Sequence, residues 1–169
     1  TRAKLRRKYP DYQPKTFSPG EKFWYLGQKY PLKFTNRQRP LLALDGAFQL
    51  AQSAQKRARE VFIEWYREET RRITADLIQQ YSQSHKFKPN RVRITSAKTR
   101  WGSCSSKNNL NFTYRLCMAP LSVIDYVVVH ELVHLKFHNH SQSFWRAVGD
   151  IKPDYGEHRE WLKQYGPML

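Results

Sequence analysis

With 169 residues, 40% of them hydrophobic and 26% charged, the chain has enough apolar material for one core and too little length for two ordinary domains. Thirty Lys and Arg against fourteen Asp and Glu give a net charge of +16, a field that attracts polyanions without any dedicated site. The composition excludes a disordered chain, no apolar run reaches the length of a membrane span, and two cysteines are too few for a disulfide framework; a cytoplasmic protein without membrane contact is expected.

Residues 1–20 are basic and rich in Pro, lack the apolar run of a signal peptide and show no steady period, which reads as an arm or linker outside the core. The remainder, 21–169, reads as a single domain with hairpins over 21–50 and a helical and catalytic part over 51–169. Two hairpins are predicted, one of Phe23–Leu26 and Lys29–Phe34 around Gly27-Gln28, the other starting with Leu41–Leu44 before Asp45-Gly46.

From Ala51 to Ser84 there is neither Pro nor Gly, and Phe62, Tyr66, Ile73, Leu77 and Tyr81 recur at helical spacing, so a long amphipathic helix is predicted. Its other face mixes both signs of charge and reads as a solvated surface. After Pro89, Val92 and Ile94 alternate with arginines, and Leu110, Phe112, Tyr114 and Leu116 alternate with polar residues beyond the Asn108-Asn109 turn signal; both read as strands. Pro120 ends the sheet, and Ser122 is the predicted N-cap of a helix running through Phe137. Shorter helices are predicted over Phe144–Lys152 and about Glu157–Gln164. Strands followed by helices make an α+β domain.

Four of the six histidines fall in the run His130-Glu131-Leu132-Val133-His134-Leu135-Lys136-Phe137-His138-Asn139-His140. On a helix, residues four apart share one face, so His130 and His134 can present imidazole nitrogens to one metal ion. Glu131 then stands beside the ion without filling a ligand position, where a carboxylate can take a proton from water and return it to a leaving amine. Valines and Leu132 flank the motif, and polar groups on so apolar a helix need a partner that a metal would supply.

Catalytic zinc needs a third protein ligand. His138 would lie about 12 Å from His130 if the helix continued, too far to share an ion. His140 follows His130 by ten residues, the spacing of the third histidine in H-E-x-x-H-x-x-G-x-x-H, although Phe137 replaces that pattern's Gly and the left-handed turn would have to fall at Asn139. Glu157, 23 residues past His134, is the runner-up, and Glu160 a further carboxylate. The short tether ranks His140 first.

The stretch from about Thr99 to Leu162 resembles the YgjP-like zinc metallopeptidases, relatives of the SprT-type zincin proteases. The resemblance rests on Thr99-Arg100-Trp101-Gly102-Ser103-Cys104, Val129-His130-Glu131-Leu132-Val133-His134-Leu135-Lys136, Asn139-His140-Ser141 and Phe144-Trp145. It implies a minimal zincin-like fold with N-terminal β-hairpins, a long helix, a small sheet and an HExxH helix. In that family the histidine at the position of His140 is taken as the third ligand. It also implies a cleft-bordering strand for an extended substrate, at Arg100–Cys104 or Asn111–Leu116. Trp101-Gly102-Ser103 would shape the cleft floor, with Gly102 permitting close backbone approach; packing in the core is the competing role of Trp101. Tyr155 and His158 are candidates to stabilise an oxyanion, and structural helix-end roles compete.

The first functional reading is a peptidase acting on protein or peptide, with one zinc ion on His130, His134 and His140 and Glu131 as general base and acid. The +16 charge and the SprT kinship extend it to substrates associated with nucleic acid. The second is a basic nucleic-acid-binding module with a structural or vestigial zinc site; against it, structural zinc is usually closed by four Cys-rich ligands.

Overall fold

A computed structural model describes residues 14–169. Its first layer is a four-stranded sheet of β1 (Lys22–Tyr25), β2 (Gln28–Thr35), β3 (Leu42–Asp45) and β4 (Ala47–Ala51), in the order β1-β2-β4-β3. Both hairpins form. The first turns at Leu26-Gly27, one residue earlier than the sequence signal, with φ of 47° and 79°. Both central residues of such a tight turn need positive φ, which glycine adopts at little cost. Gly27 is doubly constrained, because a Cβ there would lie 2.8 Å from Pro120 Cγ. The two hairpins join through parallel pairing of β2 with β4, with Leu32 opposite Phe48 and Phe34 opposite Leu50.

The end of the segment read as an arm lies against this layer. Phe17 stacks on Phe23 with centroids 5.3 Å apart, and the Glu21 carboxylate accepts the backbone N–H of Thr16, Phe17 and Ser18. Residues 1–13 of that segment lie outside the described residues.

Helix α1 (Ala58–His85) follows a 3-10 turn over Gln52–Arg57. Phe62, Tyr66 and Ile73 are buried as the spacing predicts, and Thr70, Thr74 and Ile78 share that face. Phe62 stacks on Phe23 at 4.4 Å and meets Phe48 at 5.0 Å, which ties helix and sheet together through rings. Two hydroxyls reach neighbouring backbone: Tyr66 donates to Trp24 O at 2.7 Å and Thr70 to Tyr114 O at 2.8 Å.

The second sheet orders β5 (Arg91–Thr95), β7 (Asn109–Thr113) and β6 (Gly102–Cys104), with β5 parallel and β6 antiparallel to β7. The strand predicted through Leu116 stops at Thr113. Tyr114–Met118 coil into a 3-10 turn instead, whose last carbonyls, those of Cys117 and Met118, accept the N–H groups of Leu26 and Gly27. A docking site for the first hairpin thus replaces ladder pairing.

Helices α2 (Leu121–Val133), α3 (Gln142–Ile151) and α4 (Tyr155–Tyr165) complete the α+β fold. Pro120, not Ser122, occupies the N-cap of α2, and it makes no side-chain cap. Val123, Ile124, Val127, Val128, Val129, Leu132 and Val133 on α2 are all buried. Each contributes on the order of 1.5–3 kcal/mol relative to exposure. Together they outweigh the roughly 1–3 kcal/mol that each of two buried oxygens on the same helix costs, Asp125 Oδ1 and Glu131 Oε2, neither with a partner among the described residues. Among the described residues, no helix is long and apolar enough to cross a membrane.

Candidate metal centre

Helix α2 ends four residues short of its predicted extent. His134 is its C-cap, and Leu135, Lys136 and Phe137 donate their N–H groups to Leu132 O, Val133 O and Val133 O, winding the chain tightly before it turns back. The predicted left-handed residue at Asn139 is absent; among the described residues, positive φ occurs at no position after Asn108. Tightened hydrogen bonds at the helix end do the work assigned to a left-handed residue.

This reversal brings His140 over the helix end. Its Nε2 lies 3.1 Å from His130 Nε2 and 3.2 Å from His134 Nε2, and the three donor atoms all fall within 4.8 Å of one another. Nitrogens held about 2 Å from a single tetrahedral ion stand roughly 3.3 Å apart, so the spacing fits one zinc-sized cation.

The donor chemistry fits as well. His134 Nδ1 sits 2.9 Å from Phe137 O, and because a carbonyl only accepts, Nδ1 carries the hydrogen and leaves the Nε2 lone pair free. Tyr126 Oη stands 3.4 Å from His130 Nδ1, within reach of a hydrogen bond in either direction. Burial, the other two imidazoles and the Arg159 guanidinium push His130 down to about 3, and burial lowers His134; both rings stay neutral, as a metal ligand must be.

Glu131 is 5% exposed, and its Oε2 has no hydrogen-bond partner among the described residues. Burial pushes its carboxyl up to about 8, with the Arg100 guanidinium pulling the other way. The carboxylate rests on β6. A Cβ at Gly102 would fall 2.6 Å from both Glu131 Cγ and Oε1, so only glycine lets the strand approach. Gly102, Ser103 and Cys104 form one wall of an open hollow, and the histidines with Glu131 form the other. Of the two cleft strands the sequence left open, β6 is therefore the one at the site. Trp101, half-buried, packs against Gly166 and under Arg115 at the back of that wall.

The other candidates stand elsewhere. His138 lines the hollow without joining the three-nitrogen cluster. Glu157 is exposed outside the cluster, and Glu160 pairs with Lys163. His158 is buried and bonded to Asp154 at 3.0 Å, a local helix contact. Tyr155 stacks on Trp145 at 5.3 Å.

Sequence reasoning quoted Trp145 only as part of a motif, yet its indole stacks on His140 and meets His130 edge-on at 5.7 Å. Arg159, whose guanidinium lies 4.9 Å from the Trp145 ring, was missed altogether. The spacing Phe144-Trp145 just after a candidate ligand was the available signal for the first; nothing in the sequence pointed to the second.

The crystal structure of the metallopeptidase zymogen of Pyrococcus abyssi, abylysin, is similar to this chain, with 23% identity, a TM-score of 0.48, and coverage of 54% of this chain and 93% of that one. No curated protein matches the chain. The family model described as "YgjP-like, metallopeptidase domain" matches residues 1–165, nearly the full length, and the chain belongs to the YgjP-like metallopeptidase family.

Proposed function

We propose that this metallopeptidase is a zinc peptidase in which His130, His134 and His140 hold one ion and Glu131 is general base, then general acid. The observation that carries this reading is the convergence of three imidazole nitrogens, 3.1 and 3.2 Å apart, beside a buried carboxylate whose Oε2 has no partner among the described residues. When bound, zinc supplies Lewis acidity to the scissile carbonyl and acidifies the attacking water.

The rest falls to the chain's own residues. Glu131 Oε2 accepts the proton of the attacking water; the C–N bond breaks, and the same oxygen returns the proton to the leaving nitrogen. In the metal-free protein burial holds this carboxyl up to about 8, and a cation bound beside it would favour the carboxylate that takes the proton. The outer edge of β6, which ends its sheet, is open to an extended peptide, whose backbone can add as a further strand. We read 21–169 as one catalytic domain. With two free thiols we assign it to the cytoplasm, and the net charge of +16 favours substrates carried on nucleic acid.

The test pairs zinc content with casein hydrolysis. Wild type should carry one zinc, which His140→Ala loses and Glu157→Ala keeps, while Glu131→Gln keeps zinc and loses hydrolysis. Zinc bound without any Glu131-dependent hydrolysis would instead support a basic binding module with a vestigial site.

A further inference from the structure

Half of the net charge lies in under a third of the chain. Between Asp76 and Asp125 there are eight Lys and Arg and no Asp or Glu, and this segment contains the whole β5-β7-β6 sheet. Lys88, Arg91, Arg93, Lys98, Arg100 and Lys107 are exposed there, and among the described residues no ion pair joins any of them to a carboxylate. Elsewhere the basic surface is partly neutralised, as on α1, where Arg71 and Arg72 pair with Glu68 and Glu69.

Strand alternation places two of these residues, Arg91 and Arg93, on one face. Leu110 and Phe112 are fully buried, so Asn109 and Asn111 point the other way. Arg91 is opposite Asn109, and Arg93 and Ser103 are both opposite Asn111, so all five belong to the outer face. Asn111 Nδ2 donates to Ser103 Oγ across that face at 3.3 Å. The face therefore offers guanidinium, amide and hydroxyl donors on a rigid sheet, and no ring among these positions on which a base could stack.

We propose that the outer face of the β5-β7-β6 sheet binds the phosphate backbone of double-stranded nucleic acid, without reading its sequence. Unpaired guanidinium groups match phosphate oxygens in geometry and charge, and a carboxylate-free surface carries no repulsion against a polyanion. Position gives the contact a use. β6 belongs to both the sheet and the metal hollow, and β5 lies two strand spacings, about 10 Å, from it. A duplex on this face sits beside the cleft, where proteins carried on it come within reach.

The experiment measures binding of a labelled duplex to the full chain by fluorescence anisotropy between 50 and 200 mM KCl, together with casein hydrolysis. Variants are Arg91→Ser/Arg93→Ser on the proposed face and Lys33→Ser/Arg37→Ser, an equal charge removed from β2 and the segment that follows it. The expected result is that the first pair weakens binding about tenfold or more at 50 mM salt and reduces the salt slope by ~1 for each phosphate left without its arginine. The second pair should change binding much less, and both should hydrolyse casein like wild type. Equal weakening by the two variants would show a response to net charge alone and overturn the proposal, as would equally tight, Arg91- and Arg93-dependent binding of polyglutamate, or no binding of the duplex by wild type. Absence of casein hydrolysis in wild type would count against the peptidase reading and leave the binding result to stand by itself.

Discussion

The imidazole of His140 stacks on the indole of Trp145, with ring centroids 5.6 Å apart and planes 22° from parallel. His140 stands on an exposed segment after α2, and its ring is positioned by these side-chain contacts. Trp145 is itself held, by Tyr155 stacked at 19° and by the Arg159 guanidinium. Groups that orient a ligand typically change metal affinity 10–100-fold when removed. Trp145→Ala is therefore expected to weaken zinc binding about 10- to 100-fold in a chelator competition, with Trp145→Phe recovering most of it because a ring remains. Unchanged affinity in a folded Trp145→Ala protein would show that the loop holds His140 unaided.

Gly102→Ala tests the opposite wall. The added methyl would meet Glu131 Cγ and Oε1 at 2.6 Å, so either the carboxylate or β6 must shift. A displacement on the order of 1 Å costs a reaction about 100-fold. Hydrolysis should fall by that order while zinc content stays at the wild-type level, since the three histidines lie beyond the methyl. Activity within a few-fold of wild type would mean that the carboxylate has room to spare.

Much of this site was legible in the sequence, because helical spacing alone puts His130 and His134 on one face and Glu131 beside them. The choice of His140 over Glu157 followed from tether length. What could not be read was how the chain turns: no Gly or Pro marks the end of α2, and the turn is made by the hydrogen bonds of Leu135 to Phe137 with two preceding carbonyls. The alternation of Tyr114 and Leu116 misled for a similar reason. Tyr114 O accepts a hydrogen bond from Thr70 on α1, and Cys117 O and Met118 O of the same 3-10 turn accept the N–H groups of Leu26 and Gly27, contacts distant in sequence that override local period. The parallel pairing of β2 with β4 is likewise a long-range choice that no local pattern encodes.

Metal removal should lower stability by mass action. Zinc at 100 times its Kd stabilises a folded protein by about 2.7 kcal/mol if the unfolded chain does not bind. For a chain of this size that corresponds to roughly 5–10 °C in Tm. Calorimetry of wild type with and without EDTA should show a shift of this order, and His140→Ala should show far less. An EDTA-insensitive Tm in zinc-loaded wild type would mean that the histidines contribute no binding energy to the fold.

The metal-free protein should also carry a pH signature of Glu131. Burial raises this carboxyl to about 8 from an ordinary value of 4.5, so between those limits the folded state binds a proton that the unfolded chain has released. Stability conferred by that proton is complete below pH 4.5 and is lost as pH rises toward 8. His130 acts in the opposite sense. Pushed down to about 3 from 6.5, mainly by burial, it makes the unfolded state the better proton binder, so stability rises with pH over that range. The two effects oppose each other between pH 4.5 and 6.5, and the window from 6.5 to 8 reports Glu131 alone. There the urea midpoint of chelated wild type should fall with pH, and that of Glu131→Gln should not. A wild-type midpoint that tracks the variant across this window would show that the carboxyl is already ionised and its Oε2 already paired, which would remove the unpaired oxygen from the proposed proton path.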